Sequence, residues 1–470
     1  MLFSKTFAAA LGALASSVVV SAASSSSVNL TPTFSTIEPT LTEIEAAAAT
    51  AVVGEETSTV TGKVFDHFFV IWLENTDYDA ANTQADLEWL AQYGIKLTNY
   101  LSLTHPSEPN YVAAVGGDYF GMNSDNFFRV PSNVSNIVDL LESKNISWAE
   151  YQEHQPYAGF EGFNYSNQET FANDYVRKHN PLVIYDSIAN NQTRLDNIKN
   201  FTSFYDDLEA GTLPQWAFIT PNMTNDGHDT TIDVSGSWSR TFLEPLLNNT
   251  KFMSNTLVLL TFDENETYTI QNKVWALLLG DVISASLQGT TDDTVYTHYS
   301  EIATVEANWD LPHLGRGDAD ANVFSLVAND TSIALSSIDV TGVYNNESVA
   351  GYYNDYLIPI AAPDVDAVNR NGQSILPAIS SVWAEAWSSS SSASAASAAS
   401  ATTSSASSSA SATASSASSA ASSASAASSS GSASSSASAT ATTTSSSGAA
   451  GSLTAASGLL GLMLAAVALM

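Results

Sequence analysis

Residues Thr104–Tyr111 read Thr-His-Pro-Ser-Glu-Pro-Asn-Tyr. The apolar run Lys96–Leu103, which is typical of a strand, precedes them, and Tyr111–Val115, typical of the first turns of a helix, follows. A hydroxyl at such a turn stands clear of the sheet, beside helix N–H groups that favour an incoming anion. Ser107 is therefore a candidate nucleophile, with ordinary capping of the helix as the alternative role.

Apolar runs of strand length recur along the chain and alternate with segments of helical spacing. Because these runs are continuous rather than alternating with polar residues, they are typical of strands buried on both faces. The pattern predicts an α/β fold, an α/β/α sandwich built on a mainly parallel sheet. Besides Lys96–Leu103, the predicted strands are Val64–Leu73, Ser147–Tyr151, Gln215–Thr220, Asn255–Phe262 and Lys273–Leu279. The predicted helices are Asp86–Tyr93, Asn136–Lys144, Ser237–Leu247 and Ser300–Trp309.

The two ends of the chain carry the patterns of targeting and anchoring signals. Residues 1–22 combine an early lysine, an apolar run and small residues, which predicts a secretory signal peptide. Residues 388–448 are almost wholly Ser, Ala and Thr, which predicts a disordered, O-glycosylated stalk. The apolar tail of 449–470 predicts a GPI-attachment propeptide, with Ser447, Gly448 or Ala449 as the attachment residue and Gly448 taken as the site.

Between these ends, residues 23–61 are predicted to be a disordered leader and residues 62–387 the catalytic domain. The terminal signals together predict a secreted protein, held on the outer face of the plasma membrane by its GPI anchor or lodged in the cell wall. Neither the oligomeric state nor the number of subunits can be predicted from the sequence.

The composition is strongly acidic and lacks cysteine. With a formal net charge of −34 and 14 Lys and Arg residues, no basic surface for nucleic acid is expected. Without disulfides, the folded part must be stabilised by core burial. Self-repulsion falls at about pH 4 to 5 as carboxylates approach their ordinary pKa, which suits work in acid. Nine Asn-x-Ser/Thr acceptors are expected to carry glycan: Asn133, Asn145, Asn164, Asn191, Asn200, Asn248, Asn265, Asn329 and Asn346.

Acidic and amide side chains directly follow two of the predicted strands. Glu74 and Asn75 follow the first strand, and Asp263 and Glu264 follow the most apolar one. Since open α/β sheets place their sites at the carboxyl ends of the strands, these side chains should meet. Like charges at close range repel, and a divalent cation with oxygen ligands would resolve that cost. The sequence therefore predicts a divalent metal site, with the identity of the metal left open among calcium, magnesium, manganese and iron.

Histidines near these strand ends could work on a phosphoryl group. His228 and His298 are candidates for holding its oxygens and protonating a leaving alcohol, which predicts an acidic optimum. His105 and Asn110, on either side of Ser107, are candidates for phosphate contacts. The remaining histidines, namely His67, His154, His179 and His313, are interpreted as surface or packing residues.

Several ordered motifs resemble the phosphoesterase family that joins bacterial acid phosphatases, phosphatidylcholine-type phospholipases C and fungal phosphate-repressible acid phosphatases. They are Glu74-Asn75, the His-Pro-Ser-Glu-Pro-Asn-Tyr stretch, Pro-Asn-Met-Thr-Asn-Asp-Gly-His-Asp at 221–229, Thr-Phe-Asp-Glu at 261–264 and Thr-His-Tyr-Ser at 297–300. With both termini considered, the GPI-anchored fungal acid phosphatases are the nearest likeness. The resemblance covers about 65–318 of the chain.

The resemblance implies an alkaline-phosphatase-like α/β/α fold and a phosphoseryl intermediate. It assigns Ser107 as the nucleophile and places His228, Asp229 and His298 around the phosphate. It also implies that Glu74, Asn75, Asp263 and Glu264 are the metal-binding positions. The Glu-Asn-Thr-Asp-Tyr-Asp start at 74–79 departs from the longer start of the lipase branch, which favours the phosphatase branch. Asn222 heads a glycan acceptor inside one motif and is expected to be unmodified, because a glycan there would obstruct the pocket.

Three functions follow from this reading. The leading one is a cell-surface acid phosphatase that acts on small phosphomonoesters. The second is a phospholipase C, which would need an apolar rim, for instance from Tyr157–Tyr175, within a segment (Tyr157–His179) that has no clear period and is interpreted as a loop or cap. The third is a non-catalytic, anchored wall glycoprotein, which the stalk fits equally well but the set of clustered acids and histidines does not.

Overall fold

The computed structural model describes residues 36–354 and 358–384. The strands are β1 (His67–Leu73), β2 (Ile95–Leu101), β3 (Trp148–Gln152), β4 (Asn164–Ser166), β5 (Asn173–Val176), β6 (Ile198–Asn200), β7 (Trp216–Thr220), β8 (Thr256–Phe262), β9 (Lys273–Leu279), β10 (Thr290–Asp292) and β11 (Tyr296–Thr297). The α-helices are α1 (Leu41–Ala48), α2 (Tyr78–Asn82), α3 (Ala85–Ala91), α4 (Ser107–Gly116), α5 (Ile137–Glu142), α6 (Asp186–Ala189), α7 (Gln192–Leu195), α8 (Phe201–Ala210), α9 (Ile232–Leu246), α10 (Thr250–Met253), α11 (Tyr299–Trp309), α12 (Gly317–Asp320) and α13 (Ser325–Thr331). Two 3-10 helices cover Arg177–His179 and Leu182–Ile184.

Nine strands form one sheet in the order β10-β2-β9-β8-β1-β7-β3-β6, with β11 also paired to β2. Strand β9 runs antiparallel to both of its neighbours, and every other pairing in this sheet is parallel. The predicted α/β class with a mainly parallel sheet is thereby confirmed. The carboxyl ends of β1, β2, β7 and β8 consequently lie along one edge of the sheet, which is where the predicted site residues follow them.

Strand β1 lies at the centre of the sheet, between β7 and β8. Residues Phe68–Leu73 are fully buried, as is the whole of β8, because each strand is covered on both faces. Uninterrupted apolar sequence is what such double burial requires. The central strands are thereby fixed in register, for example Ile71 opposite both Ile219 and Leu260, and this fixes the positions of the residues that follow them.

The leader is ordered where the structure describes it, so the prediction of disorder over 23–61 is wrong for residues 36–61. A capping box between Thr40 and Glu43 starts α1, and the side chain of Ile44 on this helix is buried. The carboxylate of Glu38 accepts hydrogen bonds from the backbone and the hydroxyl of Ser166. The Thr-x-x-Glu spacing at 40–43 is a capping-box pattern that predicts the start of a helix, although disorder was predicted for this segment.

The aperiodic segment over 157–179 is also more regular than predicted. It contains the antiparallel β4–β5 hairpin and the 3-10 helix Arg177–His179. Tyr175 and Phe160 pack with Ile44 of the leader in a small buried cluster. These two rings are therefore internal and do not form an apolar rim, although Phe171 between the two strands is exposed.

The signal peptide, the stalk from 388 and the GPI propeptide lie outside the described residues. Within 36–354 and 358–384, no helix combines the length and the apolar character that crossing a membrane requires.

Candidate active site

Two neighbouring strands and one helix bring the predicted nucleophile and acids together. Glu74 and Asn75 follow β1, Asp263 and Glu264 follow β8, and Ser107 begins α4. The hydroxyl of Ser107 donates to Glu74 Oε2 at 3.1 Å. The backbone N–H of Asn75 donates to Asp263 Oδ1 at 3.2 Å, and its side-chain amide donates to Glu264 Oε1 at 2.8 Å. The predicted convergence of these five residues is what the structure shows.

The three carboxyl groups are buried and destabilise one another as anions. Burial, followed by the charges of Asp263 and Asp226, raises the pKa of Glu74 well above its ordinary value. Burial likewise raises the pKa of Asp263 to about 6, despite hydrogen bonds from Ser107 and Asn75. Burial and the Asp263 charge raise the pKa of Glu264. A positive charge bound at the cluster would therefore favour the ionised forms of these groups.

Buried oxygen atoms at the cluster are left without hydrogen-bond partners among the described residues. They include Asp263 Oδ2 and Asn75 Oδ1. Unpartnered buried oxygens of this kind are costly unless something else binds them. Carboxylate and amide oxygens are the donors that hard divalent cations prefer. The donor set Glu74, Asn75, Asp263 and Glu264 thus fits the predicted cation.

A second group of side chains could also hold a metal ion. Ligand atoms of Glu74, His179 and His228 all lie within 4.8 Å of one another. The ammonium of Lys178, however, lies 3.1 Å from His228 Nε2, and a positive charge there opposes binding of a cation. Glu74 belongs to both sets, and the oxygen-rich set around Asp263 is the one that the sequence predicts.

His179 is a site residue that the sequence analysis missed, and its interpretation as a packing or surface residue is wrong. The ring is buried, with Nε2 at 3.1 Å from Glu74 Oε1 and Nδ1 at 3.5 Å from Asp226 Oδ2. It stacks on Tyr111, whose hydroxyl donates to the same Glu74 oxygen at 2.5 Å. Burial, with Lys178 nearby, lowers the pKa of His179 well below its ordinary value. Glu74 thus accepts a hydrogen bond from Tyr111 on one carboxylate oxygen, with the His179 ring beside it, and from Ser107 on the other.

His228 and Asp229 lie together near the opening of the site. His228 Nδ1 is 2.9 Å from Asp229 Oδ1, and the two side chains are 29% and 39% exposed. The backbone N–H of His228 donates to Asp226 Oδ1, so the loop after β7 fixes the ring's position. His228 is therefore a partly accessible imidazole whose position the loop after β7 fixes.

His298 was expected to contact phosphoryl oxygens, but its ring is buried among internal partners. The ring is fully buried, with Nε2 at 2.7 Å from the backbone oxygen of Asp263 and Nδ1 at 3.3 Å from the Tyr100 hydroxyl. It also packs at 4.2 Å from the Trp72 ring. Both ring nitrogens face internal partners, so His298 supports the Asp263 backbone from behind and does not face the opening.

His105 and Asn110 flank Ser107 and both contact Glu264. His105 Nδ1 lies 2.8 Å from Glu264 Oε2, and the ring stacks at 3.7 Å on the half-exposed Tyr268. Burial lowers the pKa of His105 to about 4, so the ring is neutral above that pH. The Asn110 amide donates to Glu264 Oε2 and accepts from the turn at 102–104. Asn110 therefore holds this turn against the acids, and its contact with phosphate stays a prediction.

The structure separates the predicted glycan acceptors by exposure. Five are exposed, namely Asn133, Asn145, Asn191, Asn248 and Asn329. Asn164, Asn200 and Asn346 are half-buried. Asn265 is fully buried and its amide donates to Asp77 and to the Thr267 backbone, so the prediction of a glycan there is wrong. Asn222 is also buried, in keeping with the expectation that it is unmodified.

The structure places a serine hydroxyl among clustered acids at the carboxyl edge of a mainly parallel sheet, the arrangement expected of an α/β enzyme. A family model described as the phosphoesterase family matches residues 76–312. The chain belongs to the phosphoesterase family. The match contains the serine, Asp263 and Glu264, and it begins directly after Glu74 and Asn75.

Relatives with curated names agree with this assignment. The chain is 60% identical to a "Probable acid phosphatase" of Kluyveromyces lactis over 83% of this chain and 93% of that protein. It is 57% identical to an "Acid phosphatase" of Aspergillus fumigatus over 68% of this chain and 72% of the relative. A solved protein of the alkaline phosphatase superfamily from Vibrio parahaemolyticus aligns at 11% identity and a TM-score of 0.37, over 56% of this chain and 73% of that one. The prediction that the chain is an enzyme of the phosphatase type is confirmed by the family and the first two relatives.

Proposed function

We propose that the protein is an acid phosphatase that hydrolyses small phosphomonoesters by attack of Ser107, through a phosphoseryl intermediate, and releases inorganic phosphate outside the cell. The names of the fungal relatives and the phosphoesterase family support the reaction class. The observation that carries the mechanism is the 3.1 Å hydrogen bond from the Ser107 hydroxyl to Glu74 in the middle of the acidic cluster.

The residues around Ser107 have separate tasks in this mechanism. Glu74 accepts the hydroxyl hydrogen bond and so orients Oγ, while His179 and Tyr111 fix the orientation of Glu74. His228, held by Asp229, donates the proton to the leaving alcohol and afterwards accepts one from the attacking water. Ser107 is the first residue of α4, so the positive end of this helix lies beside the attacking hydroxyl and favours an anion there, although the Glu108 N–H is bonded to Asp125 and Pro109 has none.

A divalent cation is proposed as the cofactor, held by Glu74, Asn75, Asp263 and Glu264. When bound, such an ion lowers the pKa of a serine hydroxyl and neutralises charge that develops on phosphoryl oxygens. His298 positions this set by contact with the Asp263 backbone. Because a protonated histidine must donate to the leaving group, turnover is expected to be fastest in acid.

The proposed location is the outer face of the plasma membrane or the cell wall. The signal-like start, the Ser/Ala/Thr-rich segment and the apolar tail of the sequence support it. Treating intact cells with a phospholipase that cleaves GPI anchors should release the activity. Activity that stays with the cells and with their washed walls after this treatment would contradict a purely membrane-anchored location.

The reaction is tested by comparing p-nitrophenyl phosphate with bis(p-nitrophenyl) phosphate at pH 5, using the purified full-length chain with and without a chelator. Monoester turnover that exceeds diester turnover and is lost with chelator is expected. Faster diester turnover would favour the phospholipase C alternative, and no turnover of either would favour the non-catalytic glycoprotein. The inward packing of Tyr175 and Phe160 already weighs against an apolar lipid-binding rim.

A further inference from the structure

Lys178 is a positively charged side chain that lowers the pKa of Glu74, Asp263 and Glu264. Neither the motifs nor the proposed mechanism gives it a role. It lies on the 3-10 helix Arg177–His179, beside His179. Its ammonium donates to Asp125 Oδ2 at 3.0 Å and to His228 Nε2 at 3.1 Å. The side chain is 15% exposed, so part of it is accessible to solvent.

Asp125 ties this ammonium to the helix that bears the nucleophile. While Oδ2 accepts from Lys178, Oδ1 accepts the backbone N–H of Glu108 at 3.0 Å. Glu108 directly follows Ser107 on α4, and its own carboxyl group is buried. Lys178 is thereby fixed with respect to Ser107 on one side and to His228 on the other.

The electrostatics of the cluster explain why a lysine is needed there. A phosphomonoester arrives as an anion with several unesterified oxygens, and it must bind beside the buried acids Glu74, Asp263 and Glu264, where a positive charge favours it. The ammonium of Lys178 acts on all three. Although burial alone would lower it, the pKa of Lys178 is raised because Glu74 and Asp125 are negative neighbours. The side chain therefore stays charged throughout the working range of an acid phosphatase.

We propose that Lys178 is a phosphate-binding residue that donates to an unesterified phosphoryl oxygen of the substrate and of the phosphate product, between Ser107 and His228. An ammonium has three N–H donors, and the bonds to Asp125 and His228 account for two of them. On arrival of the phosphoryl group, Lys178 turns from His228 Nε2 to a phosphoryl oxygen, which frees the lone pair of that nitrogen to take a proton from solvent and then pass it to the leaving alcohol. This proposal rests on the proposed function, because it concerns the same reaction.

The test replaces the ammonium by a neutral group of the same length in the full chain, Lys178→Met, and restores the charge in Lys178→Arg. The inhibition constant of inorganic phosphate and the kcat and KM for p-nitrophenyl phosphate are measured at pH 5. A hydrogen bond to a charged group predicts that Lys178→Met raises the phosphate inhibition constant and KM on the order of 10-fold or more. Lys178→Arg should recover most of this loss.

The matched control is Lys63→Met, which removes another ion-paired lysine, at 2.5 Å from Asp310, before the amino end of β1. It should leave the phosphate inhibition constant unchanged. A Lys178→Met enzyme with an unchanged Tm and a phosphate inhibition constant within about twofold of wild type would overturn the proposal. So would a weakened phosphate affinity that is equal in Lys178→Met and Lys63→Met. Failure of the proposed function is a distinct outcome, since the wild-type chain itself would then not turn over the monoester.

Discussion

Two buried polar side chains at opposite edges of the central sheet, Gln215 and Asp263, differ in how fully they are hydrogen-bonded. At the amino edge, the Gln215 side chain accepts from Ser58 and the Val60 N–H and donates to the backbone oxygens of Val60 and Asp66. Every hydrogen-bonding position of that amide is thus used. At the carboxyl edge, Asp263 Oδ2 is equally buried and has no partner among the described residues.

The difference separates what stabilises the fold from what performs the chemistry. A fully paired amide satisfies the backbone ends around it, so its loss leaves several buried groups unpaired. An unpaired buried carboxylate costs stability and is retained because it binds something. The amino edge should therefore respond to mutation mainly in stability, and the carboxyl edge mainly in activity.

The largest expected effect is at the carboxyl edge. Ser107→Ala should lower kcat for p-nitrophenyl phosphate by on the order of 10⁴-fold or more, because no other hydroxyl is hydrogen-bonded to Glu74 at that position. The Tm should change little, since only one hydrogen bond is lost. A variant that retains a tenth of the activity would rule out Ser107 as the nucleophile.

The next effect separates binding from stability at the same edge. Asp263→Asn should lower kcat/KM on the order of 10²-fold or more by weakening the cation site. In chelator, its Tm should equal or exceed that of wild type, because the Asp263 charge disfavours the charged forms of Glu74 and Glu264. Thermal unfolding with and without chelator gives both numbers. A large fall in the Tm in chelator would mean that Asp263 is structural.

The amino edge should show the reverse behaviour. Gln215→Ala removes four hydrogen bonds to buried or half-buried groups and should lower the free energy of unfolding by about 2–4 kcal/mol. The kcat of the enzyme that remains folded should be unchanged, because the site lies at the opposite edge. Denaturant unfolding and kcat per folded molecule test this. An equal loss of kcat would erase the distinction between the two edges.

A smaller effect concerns pH and lies away from both edges. Burial, with Asp318 nearby, raises the pKa of Glu306 well above its ordinary value. The folded state therefore binds this proton more tightly than the unfolded state. The resulting stability is complete below about pH 4.3 and is lost as the pH rises through the raised pKa. Glu306→Gln should flatten the fall in Tm between pH 5 and pH 8, and an unchanged slope would contradict this.

The smallest effect is expected at the ordered leader. Glu38→Ala removes the hydrogen bonds to the backbone and hydroxyl of Ser166 and should cost less than about 1 kcal/mol. Limited proteolysis should then cut the segment around α1 faster, with kcat unchanged. Equal cleavage rates in wild type and variant would show that Glu38 does not hold the leader.

The positions of the acids and the serine could be predicted because strand ends fix them. Glu74, Asp263 and Ser107 each adjoin a strand or helix whose apolar run is plain in the sequence, and parallel strands end at one edge. Which way a side chain faces was not predictable in this way. His298 directly precedes the helix Tyr299–Trp309, but its ring turns inward because Trp72, Tyr100 and the Asp263 backbone surround it.

Lys178 and His179 could not be found by the same reasoning. They lie in a segment without period, and long-range packing sets their place. The buried guanidinium of Arg177 donates to the backbone oxygens of Phe128 and Val183, and so anchors the turn that carries them. No local sequence pattern predicts these two hydrogen bonds of Arg177.

The buried acceptor Asn265 has a consequence for how the protein must be made. Its amide nitrogen, the atom to which an oligosaccharide would be attached, is buried and donates to Asp77. If the chain enters the secretory pathway as proposed, a sugar added to Asn265 before the chain folds would prevent this side chain from becoming buried. The yield of active enzyme then depends on whether Asn265 is buried before an oligosaccharide is transferred to it. Exporting cells that glycosylate more completely would secrete less activity from the same message.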